Sequence, residues 1–215
     1  MSAQPPSVVF VIDDDASVRK ALGRLLRAAG YAFESFPSAR GFLARSQHGG
    51  VSCIVLDLQL PGLNGLALQQ ALAAAGRDES IIFITAHGDI PTCANAMKAG
   101  AIDFLPKPFR DEDLLGAIAR SLEQSERLFR ERAEKTNIRT LVERLTPREH
   151  EVMELVIAGK LNKQIAAELG ASEKTIKVHR GRVMQKMQTV SVAELVRRVE
   201  RSGFQAETGA HKTKV

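Results

Sequence analysis

Little in this chain can hold it together covalently or carry it through a membrane. It has two cysteines, Cys53 and Cys93, and no tryptophan. The two thiols lack metal-type spacing, which argues against a disulfide framework or a zinc site and predicts two reduced thiols. No apolar run approaches the roughly 18 residues of a membrane span. The opening residues, Met1-Ser2-Ala3-Gln4-Pro5-Pro6-Ser7, have no basic stretch leading into an apolar core, so a secretory signal is not expected. A cytoplasmic protein with no membrane partner is the expectation. Charge is unevenly shared. Residues 1–125 hold 11 Lys+Arg against 13 Asp+Glu, whereas residues 126–215 hold 19 against 12. An acidic half joined to a basic half predicts two jobs, the second on a polyanion. With 215 residues, 44% hydrophobic and 26% charged, the chain suits one large domain or two small ones.

Five apolar runs read as strands, near residues 8–12, 31–36, 51–57, 81–85 and 101–105. Helical stretches separate them. Val18, Leu22, Leu25 and Leu26 share one face of the first, which Gly30 ends. Ser38 caps a second, residues 64–75 form a third, Pro91 to Ala99 a fourth, and Asp111 caps a fifth. Strict alternation predicts a parallel sheet covered on both faces. In such sheets the functional crevice lies beyond the carboxyl ends of the strands. Asp13 and Asp14 end the first strand, Asp57 the third and Thr85 the fourth. Lys107 follows the fifth. A carboxylate there can hold a divalent metal or attack phosphorus. Adjacent carboxylates suit Mg²⁺, and three clustered carboxylates need a cation to stay ionised. Asp57 is then a candidate nucleophile, with Lys107 and Thr85 as partners for phosphoryl oxygens. Asp15 reads as a cap for the following helix, and His87 as a solvated loop histidine.

Residues 111–144 contain no Pro and no Gly after Gly116. Leu115, Leu122 and Phe129 recur every seven residues, so a helix should continue past the sheet domain and can contribute to pairing. Beyond it, Thr146-Pro147-Arg148-Glu149 is a capping box with Pro at the first helical position. Asn162 opens a second helix and Ser172 a third. Ser191 opens a fourth, with Glu194 completing another box. The second and third helices are separated only by Gly170-Ala171-Ser172, a helix-turn-helix. The outer face of the third carries Lys174, Lys177, Arg180 and Arg182, basic side chains suited to phosphates and base edges.

These residues match known patterns. Residues 7–125 resemble the receiver domain of bacterial two-component response regulators. The matching pieces are Val11-Ile12-Asp13-Asp14-Asp15, Leu56 to Gly65, Ile84 to Asp89, Ala96 to Ala101 and Lys107-Pro108-Phe109. Residues 144–204 resemble the LuxR-type DNA-binding domain, through Leu145-Thr146-Pro147-Arg148-Glu149, Gly159 to Ala166, Ser172 and Thr175-Ile176-Lys177-Val178-His179. The domain order is similar to the FixJ/NarL class, nearest its FixJ branch. The implied fold is a flavodoxin-like, doubly wound α/β domain with a five-stranded parallel sheet, plus a separate all-α four-helix domain. The implied layout is a receiver at 7–125, a helical linker at 126–143, the helix-turn-helix at 144–204 and a disordered tail at 205–215. The resemblance implies that Asp57 takes a phosphoryl group from a sensor histidine kinase. It assigns Mg²⁺ to Asp13, Asp14, Asp57 and the main-chain carbonyl of Gln59. It gives Thr85 and Lys107 the phosphoryl group, and makes Phe104 the switch that moves with Thr85. A homodimer formed on phosphorylation, promoter DNA and RNA polymerase are the implied partners. Lys177 and Val178 would face bases, with Lys174, Thr175, Arg180 and Arg182 around them. The position one turn later is basic in some members and is Gly181 here. The resemblance also implies a cis Lys107–Pro108 bond.

Two rival readings compete with this one. An Asp-nucleophile phosphatase would carry a second Asp two residues after the nucleophile, where this chain has Gln59. A DNA-binding protein whose receiver works without phosphate would not need the complete set of site residues. The expectation is a regulator rather than a turnover enzyme.

Overall fold

The computed structural model describes residues 6–77, 79–86 and 90–203. His87 and the tail at 205–215 lie outside them. The chain divides into two compact units, Met1–Phe129 and Arg130–Val215.

The first unit is built on five strands: β1 (Val8–Ile12), β2 (Ala32–Phe36), β3 (Ser52–Asp57), β4 (Ser80–Thr85) and β5 (Asp103–Pro106). All are parallel, in the order β2-β1-β3-β4-β5. β1, β3 and β4 are buried along their whole length, as the apolar runs that form β1 and the middles of β3 and β4 predict. β2 is an edge strand, and its pattern Ala-Phe-Glu-Ser-Phe is correspondingly more polar and more exposed.

Strand alternation sends neighbouring side chains to opposite faces. Val9, Val11, Cys53, Val55, Ile82 and Ile84 point to one, and pack with Leu22 and Leu26 of α1 (Ala16–Ala28) and Leu114 and Ile118 of α5 (Asp111–Glu143). Val8, Phe10, Ile12, Ile54, Leu56 and Phe83 point to the other. There they meet Phe42 of α2 (Ala39–Leu43), Leu68 and Leu72 of α3 (Gly65–Ala74) and Ala96 of α4 (Ile90–Lys98). Cys53 and Cys93 are both free thiols, and burial pushes the Cys53 thiol up to about 12, so it is chemically quiet. No described helix is long and apolar enough to cross a membrane.

The strand order reverses direction between β1 and β3, so the switch-point crevice opens where those two strands end. Those ends are Asp13 and Asp57. Gly65, at the start of α3, lets the chain return close beneath that crevice. A Cβ there would stand 2.8 Å from the Asp57 carbonyl and 3.0 Å from Leu58 Cα, so this close approach to Asp57 requires glycine.

α5 is one continuous helix of 33 residues. Its last turns are more than a spacer: Ile138 and Leu141 are buried in the second unit's core with Val152, Met153, Val156, Ile165, Ile176, Val183 and Leu195. The four helices expected there are α6 (Pro147–Ile157), α7 (Asn162–Glu168), α8 (Glu173–Lys186) and α9 (Val192–Arg201). The end of α5 adds a fifth wall to their core.

The caps are mostly those the sequence predicts. Thr146 and Glu149 form a reciprocal capping box, and the side chains of Ser172 and Ser191 each accept an N–H three residues on. Each such cap contributes about 0.5–2 kcal/mol. Two details differ. α7 begins at Asn162, but its leading N–H, that of Leu161, donates to Gln164 Oε1, while Asn162 Oδ1 is engaged by Arg180. At α9 the Glu194 carboxylate accepts from Val190 N–H rather than completing the box at Ser191.

Candidate functional site

Asp13, at the end of β1, and Thr85, at the end of β4, are fully buried, and Asp57 is 7% exposed. Asp14 is exposed. One carboxylate oxygen from each of Asp13, Asp14 and Asp57 lies within 4.8 Å of the others, a geometry that can hold a metal ion. Lys107 reaches in from beyond β5. Its Nζ donates to Asp13 Oδ2 at 2.7 Å and to Asp57 Oδ2 at 2.8 Å. Its backbone N–H donates to the Thr85 carbonyl at 2.6 Å, which ties the ends of β4 and β5 together. The Lys107–Pro108 bond is cis.

Both buried carboxylates are oriented by the backbone. Asp13 Oδ1 accepts from Asp15 N–H at 2.8 Å, and Asp57 Oδ1 accepts from Gln59 N–H at 3.0 Å. Each thus has one oxygen fixed and one turned to Lys107. Burial raises the Asp13 pKa despite the opposing Lys107 hydrogen bond. Burial also disfavours the charged Lys107, but hydrogen bonds to Asp13 and Asp57 outweigh it and raise its pKa. The site therefore holds an ammonium locked between two carboxylates.

The third acid of the triplet has a different task. Asp15 is the N-cap of α1, its Oδ1 accepting from Ser17 N–H at 2.6 Å. Arg19, one turn into that helix, is a residue that the sequence reading missed. Its guanidinium donates to the carbonyls of Asp13 (2.7 Å) and Asp14 (2.8 Å) and so pins the acidic loop. Phe104 is half-buried on β5 and packs at a tilt on Phe83, with centroids 6.4 Å apart.

The second site is the exposed side of α8. Ile176, Val183 and Met187 face the core. With about 3.6 residues per turn, Lys174, Lys177, Val178, Gly181 and Gln185 fall on the opposite arc. All five are exposed. Thr175 and Arg182 are also exposed, on one flank. Thr175 Oγ1 shares a 2.8 Å hydrogen bond with the capping Ser172. Arg180 does not belong to this outer arc. It is half-buried, turned towards α7, and donates to Asn162 Oδ1 at 2.9 Å. Its place on α8, one turn from the buried Ile176 and Val183, puts it near the core edge. Asn162 supplies the polar partner that a half-buried guanidinium requires. Arg180 braces the helix-turn-helix.

A second brace lies below. Lys186 Nζ donates to Glu149 Oε2 at 2.6 Å, joining α8 to the start of α6. The Glu149 side chain is 3% exposed. Lys186, then the Thr146 N–H, hold its carboxyl down at about 2. A folded-state pKa below the unfolded value stabilises above about pH 4.5, and that contribution is lost as pH falls towards 2. We expect the thermal midpoint of this unit to fall more steeply between about pH 5 and 3 in the wild type than in Glu149→Gln. Parallel slopes would remove the brace from the account.

Comparison with known proteins places each of the two units in a family. Residues 9–119 match the family model of the response regulator receiver domain. Residues 143–199 match that of the bacterial regulatory proteins of the luxR family. The chain belongs to the response regulators, in the FixJ/NarL class, and is a phosphorylation-activated transcriptional regulator. Among its relatives, nodulation protein W of Bradyrhizobium diazoefficiens is 47% identical over 206 residues, covering 95% of this chain and 90% of that one. The transcriptional regulatory protein FixJ of the same organism is 42% identical over 196 residues, 91% of this chain and 96% of that one. Among solved structures, the response regulator StyR is 47% identical with a TM-score of 0.83, covering 92% of this chain and 100% of that one. Full-length FixJ from B. japonicum is 40% identical with a TM-score of 0.54, covering 94% and 98%.

Proposed function

We propose that Asp57 is the phospho-acceptor and that its donor is the phosphohistidine of a sensor kinase. One observation carries this: Lys107 Nζ sits 2.8 Å from Asp57 Oδ2, so a fixed cation already stands where phosphoryl oxygens would arrive. The Asp57 oxygen would attack phosphorus and form the acyl phosphate bond. The phosphorus–nitrogen bond of the donor breaks, and the electron pair stays on the imidazole. Thr85 would donate to the transferred group, and Phe104 would follow it inward. The carboxylates of Asp13, Asp14 and Asp57 and the Gln59 carbonyl suit Mg²⁺, a hard ion with few protein ligands, which when bound would offset the phosphoryl charge. One oxygen from each of the three carboxylates lies within 4.8 Å of the others, close enough to share such a cation. Gln59 cannot act as a general acid, so the phosphoryl group serves as a signal rather than a turnover intermediate.

A groove of about 590 Å³ beside Lys107, lined by Val18, Leu22, Leu25, Pro108 and Phe109, is where a kinase helix carrying the phosphohistidine would dock. Pairing of two copies would use the face of α4, β5 and α5. On α4, Ile90 is 85% exposed and Met97 45%, seven residues apart on one side of the helix. We take 7–125 as the receiver, 126–143 as the connecting helix and 144–204 as the DNA-reading module, working in the cytoplasm. Two modules related by a two-fold axis would dock on two half-sites, with Lys174, Lys177, Val178 and Arg182 as the DNA-facing side chains and RNA polymerase as a downstream partner. Sedimentation tests the pairing. In Mg²⁺ and a small acyl phosphate donor the mass should double, and a mass unchanged by the donor would refute it.

A further inference from the structure

Gly181 stands in the interior of α8, where glycine weakens a helix, and nothing among the described residues accounts for it. Two buried helical glycines elsewhere have clear reasons. A Cβ at Gly23 would meet the Phe33 ring at 2.8 Å, and one at Gly65 would meet the Asp57 carbonyl. A Cβ at Gly181 would have nothing within 4 Å among the described residues, and the residue is not among those with positive φ. The described residues therefore leave room for a side chain there. Gly181 also lies at the middle of the exposed arc of α8. Lys177 and Val178 are its neighbours one turn back, and Gln185 one turn on. Val178 is apolar yet 49% exposed. A bare stretch of helix main chain beside an exposed isopropyl group leaves a shallow apolar notch on the arc that also carries Lys174 and Lys177.

We propose that Gly181 is a specificity-determining position: the main chain of α8 comes closest to the base edges there, and the notch with Val178 receives the 5-methyl group of a thymine. In the major groove that methyl is the apolar feature that marks a T·A pair, and the glycine lets the helix lie one methyl group deeper against it. The side chain is excluded by the DNA rather than by the protein. This rests on α8 being the DNA-reading helix.

The test is selection of binding sites from a random duplex library by the full-length protein activated with acetyl phosphate and Mg²⁺. The wild type should enrich sites with a thymine at one position per half-site. Exchanging that thymine for uracil, which removes only the methyl group, should weaken binding about fivefold or more. Gly181→Ala should fold, with a melting temperature at or above wild type. It should bind the selected site about tenfold more weakly, ignore the thymine-to-uracil exchange and keep its affinity for unrelated DNA. A Gly181→Ala protein that selects the same sites with equal affinity overturns the proposal and leaves the DNA-reading assignment standing. A wild type that enriches no sequence overturns both.

Discussion

Asp57→Asn protein should take up no label from a small acyl phosphate donor in Mg²⁺, while the wild type is labelled close to one group per chain. The substitution conserves shape, and the amide oxygen it introduces could still accept from the Gln59 N–H as Asp57 Oδ1 does. What it removes is the carboxylate oxygen now facing Lys107 at 2.8 Å, the proposed nucleophile. Loss of label with an intact fold would therefore be a loss of chemistry. Asp13 and Asp14 stay in place as an internal control, since either could be labelled if the acidic cluster were merely reactive. Stoichiometric label on Asp57→Asn would transfer the acceptor role to one of them. The same variant should lose the donor-dependent mass change. To carry a two-state protein from 1:99 to 99:1, phosphorylation has to favour the active state by about 5.5 kcal/mol, a load that pairing and DNA can share.

Affinity for DNA should fall by about 10³ when salt rises from roughly 50 to 200 mM, if Lys174, Lys177 and Arg182 each neutralise one phosphate in both halves of a dimer. Six neutralised phosphates imply a logarithmic slope of roughly −5. The three side chains are exposed on α8 and none is committed to a described carboxylate at salt-bridge distance. Arg180 is left out of this number because it is held by Asn162. A slope near zero would remove phosphate contacts as a main source of affinity. A slope reduced by about one for each side chain of the pair would follow Lys177→Ala.

The core, the parallel sheet and the acidic crevice were legible in the sequence for local reasons. Val8–Ile12 and Cys53–Leu56 are unbroken apolar runs because helices cover both faces of their strands. Thr146, Ser172 and Ser191 announce helix starts because a cap needs only a side chain and an N–H three residues away. Asp13, Asp57 and Lys107 could be grouped because a parallel sheet delivers all its strand ends to one edge. The features that were missed depend on pairs distant in sequence. Arg180 and Asn162 are 18 residues apart, Lys186 and Glu149 are 37 apart, and neither pair has a local pattern that would mark it. Arg19 lies closer to its partners, but these are main-chain carbonyls, which carry no residue-specific signal. The burial of Ile138 and Leu141 was hidden for another reason. They lie on a mixed-charge helix that reads as exposed until the second core closes on it.

The two halves of the molecule make one claim together: phosphate on Asp57 controls what α8 binds. The most direct measurement is the dissociation constant for a selected duplex, taken with and without acetyl phosphate in Mg²⁺, for the wild type beside Asp57→Asn. The donor should tighten binding by the wild type at least tenfold and leave Asp57→Asn unchanged. Equal affinities with and without donor in the wild type, or the same tightening in Asp57→Asn, would contradict the account.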